Sequence, residues 1–208
     1  MKTTATALAF AAFAVTGVRA DTLGPAGYKA GDRWTYEIAT SSNGGAAKTD
    51  IQQEYSILWL AASGNYVTGQ RRASSGNAWA PGASISPNRC LVLLMDVRDE
   101  FGDDFCGKEL QPGASFVRES QFSRRVTTFM GETTVQVPAG AMKTLHFSIE
   151  EEFTGGKDDA APLAKKRLWD LWYSPDARAF AKVQLRYVDV IGVELRTVSI
   201  DLVNSATK

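Results

Sequence analysis

The chain has 208 residues, with 23 basic and 23 acidic side chains, a formal charge of zero and one histidine. This balance argues against a surface built for nucleic acid or anionic lipid, each of which needs a basic excess, and the lone His146 excludes multi-histidine metal centres. The length suits one domain with a real core better than two.

The amino-terminal stretch reads as an export signal. Lys2 supplies a basic start, residues 5–15 are almost wholly apolar, and Val18-Arg19-Ala20 places small residues where a signal peptidase reads. The apolar run is shorter than the ~20 residues of a membrane-spanning helix, and no second run follows. The expectation is a leader over 1–20, cleavage near Ala20, one β-rich domain over 21–208, a periplasmic or secreted location and no stable membrane span. Lys2 and Arg19 leave with the leader, so 23 basic residues less these two face 23 acids. No cysteine follows the apolar run to carry a lipid anchor.

Beyond the leader the period is that of strands. Trp34, Tyr36 and Ile38 alternate with Arg33, Thr35 and Glu37, giving one aromatic and one polar face. Ile51, Tyr55, Ile57 and Trp59 repeat the pattern after a flexible Asn43-Gly44-Gly45 turn, and a third strand follows over 66–72. Residues 73–88, rich in Ser, Gly, Ala and Pro, read as irregular loop. Residues 90–97 contain an unbroken Leu91-Val92-Leu93-Leu94-Met95 run that suits either a buried strand or a short helix.

Cys90 and Cys106 form an even pair for an oxidising compartment, and they predict one disulfide closing a loop worth about 3 kcal/mol. Strand patterns resume over 116–129, 133–137, 143–153, 168–173, 181–190 and 194–203, interrupted by an exposed connection near Asp158 and Pro162. Gly31 precedes Trp34 as Gly113 precedes Phe116, a faint echo 82 residues apart.

Val137-Pro138-Ala139-Gly140 enforces a reversal, because proline fixes φ and cannot donate to a ladder. Leu145, Phe147, Ile149 and Phe153 then share one face of the return strand, with His146, Ser148, Glu150 and Glu152 on the other. Trp172-Tyr173-Ser174-Pro175 marks a second strand end. Together with Gly113, Phe116, Lys182-Val183 and Glu194-Leu195, these elements resemble a TapB-like exported bacterial family of unknown function, which has half-barrel features of lipoprotein carriers. The likeness spans 110–203. Arg178 stands where that family commonly has glycine. The resemblance implies a fold more than an activity.

No catalytic constellation assembles. His146 beside Glu150 reads as a solvated or paired strand residue, and Asp103-Asp104 and Glu150-Glu152 read as solvated carboxylates. No nucleophile elbow, phosphate loop or zinc-protease motif occurs. The basic clusters Arg124-Arg125 and Lys165-Lys166-Arg167 read as strand ends.

The aromatics remain. The expected fold is mainly β with little helix: a single antiparallel, strongly curved sheet forming an open or half barrel. Its groove would be lined by Trp34, Tyr36, Trp59, Trp172 and Tyr173. The functional expectation is a non-enzymatic binding module for a hydrophobic or amphipathic small molecule, without cofactor or metal. The alternative is a structural or assembly protein that contacts another envelope protein.

Overall fold

The structure is a computed structural model and describes residues 23–42, 44–74, 78–92, 94, 103–153 and 164–208. The predicted leader and its cleavage site, and the connection near Asp158 and Pro162, lie outside them. So does most of the 90–97 run, whose described residues 90–92 take neither helix nor strand.

Ten strands are described: β1 (Arg33–Ser42), β2 (Lys48–Leu60), β3 (Tyr66–Arg72), β4 (Ala80–Ile85), β5 (Ser115–Glu119), β6 (Ser123–Val137), β7 (Gly140–Phe153), β8 (Lys166–Ser174), β9 (Ala179–Val188) and β10 (Glu194–Ala206). They form one antiparallel sheet in the order β4-β3-β2-β1-β10-β9-β8-β7-β6-β5. Two meanders, β1 to β4 and β5 to β10, therefore join along β1 and β10. The sheet is mainly β architecture not closed into a barrel. The described helical content is one 3₁₀ turn, Asp103–Phe105.

Alternation decides which face is buried. Trp34 and Tyr36 of β1, Phe147 and Ile149 of β7, Leu171 and Tyr173 of β8, and Val183 and Leu185 of β9 all join one core. Residues 86–114 connect the two edge strands β4 and β5. They bring Cys90, Leu91, Val92, Phe105 and Leu110 onto that inner face, where Phe105 meets Phe116 and Phe147 edge-on at 4.8 and 5.1 Å. The described parts of this connection thus act as the second layer that a single sheet needs to bury its apolar face.

The sheet's curvature has a direct mark. Ala139, in the β6–β7 turn, donates its N–H to the carbonyl of Leu202 on β10 at 3.0 Å, although β7, β8 and β9 lie between β6 and β10. Leu202 lies one residue beyond the last β9–β10 pair, Asp201 with Lys182, and beside the β1–β10 register shift at Thr35/Tyr36. A second shift, at Phe129/Gly131, lets β6 bend over the inner face while remaining one strand. The pattern read as two strands, 116–129 and 133–137, is accordingly divided elsewhere, at a turn around Phe122.

Residues 73–88 are not wholly irregular, since β4 occupies part of them. An edge strand pairs on one side, so Pro81 is tolerated and periodicity is lost. A Cβ at Gly82 would lie 2.5 Å from Thr68 Oγ1, and its absence allows close approach to β3.

The glycine echo corresponds to a shared entry turn. Gly31 donates to Ile57 O (2.7 Å), Ile57 to Asp32 O (3.0 Å) and Asp32 to Lys29 O (3.0 Å). Gly113, Phe129 and Ala114 repeat the set with Phe129 O, Ala114 O and Gln111 O at 2.7, 2.9 and 2.9 Å. Both glycines have positive φ, 91° and 88°, as this turn requires. The surroundings differ: β1 is central and β5 is an edge.

Candidate ligand-binding cavity

A cavity of about 520 Å³ opens where the segments that precede β1 and β5 meet the middle of β6, Leu145 of β7 and the β8–β9 turn. Its floor is Leu23, Ala26, Leu110, Phe129 and Tyr173, all buried, and exposed Pro25, Pro112, Met130, Glu132 and Pro175 border its mouth. A second hollow of about 470 Å³ shares Glu132, Leu145 and Pro175 with it and adds Thr133, Thr134, Lys143, Thr144 and Asp176. An apolar chamber therefore continues into a polar one.

Residues 23–27 form a strap along the cavity. Gly107 N–H donates to Leu23 O (2.9 Å), Ala26 N–H to Arg89 O (3.2 Å), and Arg178 Nη1 to Gly27 O (2.6 Å). The disulfide joins Cys90 to Cys106, the neighbours of Arg89 and Gly107, and so holds two of the strap's three anchors together.

The third anchor belongs to a buried cluster. Asp32 is fully buried. Its Oδ2 accepts Lys29 N–H at 2.7 Å, and its Oδ1 accepts Lys208 N–H at 2.8 Å and Arg178 Nη2 at 3.2 Å. Arg178 adopts φ 52°, the left-handed region that favours glycine. The side chain gains three acceptors here, counting Lys208 O at 3.1 Å. Beside it, Trp34 Nε1 donates to Ala177 O at 2.7 Å.

Phenols dominate the adjoining core. Tyr28 meets Trp34 edge-on at 5.5 Å, Tyr36 meets Tyr55 at 5.8 Å and Tyr173 meets Phe180 at 5.5 Å. Burial raises the pKa of Tyr28, Tyr36 and Tyr173, and pushes Tyr55 up to about 12. The interior is therefore lined by neutral phenols, and the Tyr28 hydroxyl is buried with no hydrogen-bond partner among the described residues.

Of the five aromatics expected in a groove, Trp34, Tyr36 and Tyr173 share the inner face, and Tyr173 lines the cavity itself. Trp172 does not join them, because neighbours on a strand point to opposite faces. It stacks on His146 on the outer face at 4.7 Å, with Lys182 Nζ 5.8 Å from its ring centre. Trp59 is also elsewhere. The β2–β3 register shifts between Ile57 and Trp59, and the indole is 49% exposed. Leu23, Pro25, Leu110 and Pro112 had no periodic signal, since strap and connection residues obey none.

His146 Nε2 lies 3.0 Å from Asp170 Oδ1, and Arg186 approaches the other oxygen at 3.4 Å. Its partner is thus across the β7–β8 pair rather than Glu150, which binds Lys166 at 2.7 Å. Glu151 is the buried acid of this strand, held by Arg167 at 2.6 Å and Arg125 at 3.3 Å. Among the described residues no cluster of three or more His, Cys, Asp or Glu could hold a metal, and no helix is long and apolar enough to cross a membrane.

No family model matches the chain, and no curated protein matches it. Among solved structures, the chain is similar to a Bacteroides fragilis protein described as exported and having a YmcC-like fold. They share 14% identity over 89% of this chain and 100% of that one, with a TM-score of 0.51. A Parabacteroides distasonis protein described as a lipoprotein follows at 12% identity, 89% and 100% coverage and TM-score 0.49. A LolA-superfamily protein from Nitrosomonas europaea matches at 8% identity, 86% of each chain and TM-score 0.23. Only the first has a score high enough to show a shared fold, and at its identity it shows that alone.

Proposed function

We propose that the chain is an exported, non-enzymatic envelope protein that carries or presents a hydrophobic or amphipathic small molecule in its half-barrel cavity. The observation that carries this reading is the apolar chamber of about 520 Å³ between strap, connection and sheet. That volume falls in the range typical of small-molecule sites. The chain of an amphipathic ligand sits against Phe129, Leu110 and Tyr173, and its head rests over Lys143, Glu132 and Asp176 in the adjoining polar hollow. Trp34 and Tyr36 stiffen the wall behind it, while Trp59 and Trp172 take no part. In this reading the turn motifs place the chain near the TapB-like exported proteins, and the fold likeness to a protein described as exported agrees with a periplasmic or secreted location.

Bond-breaking chemistry has little support. The sole histidine projects from the outer face, opposite Leu145 and the cavity, and Glu151 is neutralised by two arginines. Assembly through open sheet edges is the weaker alternative, because β4 carries Pro81 and Gly82 and β5 is short and charged at Arg118 and Glu119.

The test is a titration of an environment-sensitive fatty-acid probe against the purified chain and a Leu110→Arg variant. Saturable binding to the first and at least about tenfold weaker binding to the second support the reading, since an unpaired charge in the floor opposes an apolar ligand. Equal binding by both, or none by either, refutes it.

A further inference from the structure

The polar hollow that continues the apolar chamber is built by two turns. Glu132 and Lys143 come from the two arms of the β6–β7 hairpin and Asp176 from the β8–β9 turn, and all three side chains are exposed. In the hairpin ladder Glu132 stands opposite Leu145 and Thr134 opposite Lys143, so the acid and the base are diagonal neighbours. Diagonal neighbours lie within reach of long side chains, and elsewhere on this sheet such pairs of opposite charge close. Glu150, opposite Leu168, bonds Lys166 at 2.7 Å, and Asp170, opposite Gln184, bonds Arg186 at 3.4 Å. Glu132 and Lys143 do not close. Among the described residues neither they nor Asp176 has an ion pair or a side-chain hydrogen bond, although the three line one hollow.

Charges of both signs that face one space without pairing suit a ligand head that carries both signs itself. Its anionic group meets Lys143 and its cationic group meets Glu132 and Asp176. A carboxylate only accepts hydrogen bonds, so a primary ammonium with three donors satisfies these acids, whereas a fully methylated one has no donor to offer. A head with negative charge alone would face two carboxylates and one lysine.

The chamber sets the number of chains. A methylene group takes up about the 30 Å³ of a water molecule in the liquid. In about 520 Å³ there is therefore space for one chain of up to about 17 carbons. The two chains of an ordinary membrane phospholipid need twice that space.

We infer that the ligand class is a single-chain glycerophospholipid with a phosphoethanolamine head, its acyl chain in the chamber, its phosphate at Lys143 and its ammonium between Glu132 and Asp176. The inference deepens the cavity reading and rests on it.

The experiment offers the purified chain vesicles that hold equal amounts of palmitoyl lysophosphatidylethanolamine, lysophosphatidylcholine, lysophosphatidylglycerol and dipalmitoyl phosphatidylethanolamine. The chain is then separated from the vesicles and weighed by native mass spectrometry, which tells the four lipids apart. One lysophosphatidylethanolamine per chain is expected, in about fivefold or greater excess over the other single-chain lipids, which is what one or two exposed charge contacts supply. The two-chain lipid is absent. Asp176→Lys moves the preference to lysophosphatidylglycerol, and because Asp176 is exposed the variant keeps the parent's circular dichroism. Equal loading of the single-chain lipids, loading of the two-chain lipid, or an Asp176→Lys chain with the parent's preference overturns this inference and leaves the cavity reading standing. If no lipid loads and the fatty-acid probe does not bind either, both fall.

Discussion

Arg178 in the β8–β9 turn lies 3.2 Å from Asp32, which is fully buried at the entry to β1, and this pair ties two distant parts of the chain beside the cavity. Replacing Arg178 with glycine relieves the left-handed backbone but strands a buried carboxylate with backbone donors alone. The loss of a buried ionic partner outweighs the relief, so Arg178→Gly destabilises by about 2–4 kcal/mol. Urea unfolding measures it, and a variant as stable as the parent would show that the ion pair contributes nothing net.

The disulfide fixes the strap as well as the connection. Replacing Cys90 and Cys106 together with serine costs about 3 kcal/mol through the freed loop. It also loosens the anchors at Arg89 and Gly107, so limited proteolysis cuts within residues 23–27 sooner. Unchanged cleavage there would separate the strap from the disulfide.

The phenols give the fold an alkaline limit. A raised folded pKa means that the native state keeps protons that the unfolded chain releases, so stability is complete below the unfolded value of 10.0 and falls as pH rises above it. For Tyr55 the window runs from that value to about 12, and Tyr28, Tyr36 and Tyr173 extend it upward. Phenolate absorbance should therefore rise together with the loss of sheet signal. Four tyrosines titrating freely near their ordinary value in a folded chain would contradict this burial.

His146 is a surface residue in energetic terms, with an exposed-side partner in Asp170 and a stacked Trp172. His146→Ala should cost less than about 1 kcal/mol and leave probe binding intact. Loss of binding by a folded His146→Ala chain would move the functional site to the outer face.

Local alternation and turn chemistry made much of the sheet legible. The β-residues of 66–72 coincide with β3, and Val137-Pro138-Ala139-Gly140 encodes the β6–β7 hairpin. The repeat of Gly31 and Gly113 marked a real shared turn. What alternation could not convey was a change of phase. The shift between Ile57 and Trp59 turns one indole outward, and Trp172 and Tyr173, adjacent in sequence, face opposite sides of the sheet. The cavity was hidden for a different reason. Leu23, Leu110 and Pro112 come from irregular segments, and only tertiary closure, marked by Ala139 against Leu202, brings a strap and a connection over the curved face.

The most direct measurement of the central claim is native mass spectrometry of the chain purified under mild conditions from the envelope of its own cells. The account predicts a population heavier than the bare chain by the mass of one lipid-like molecule, which Leu110→Arg abolishes. A single species at the bare mass, together with no saturable binding of added lipid, would contradict it.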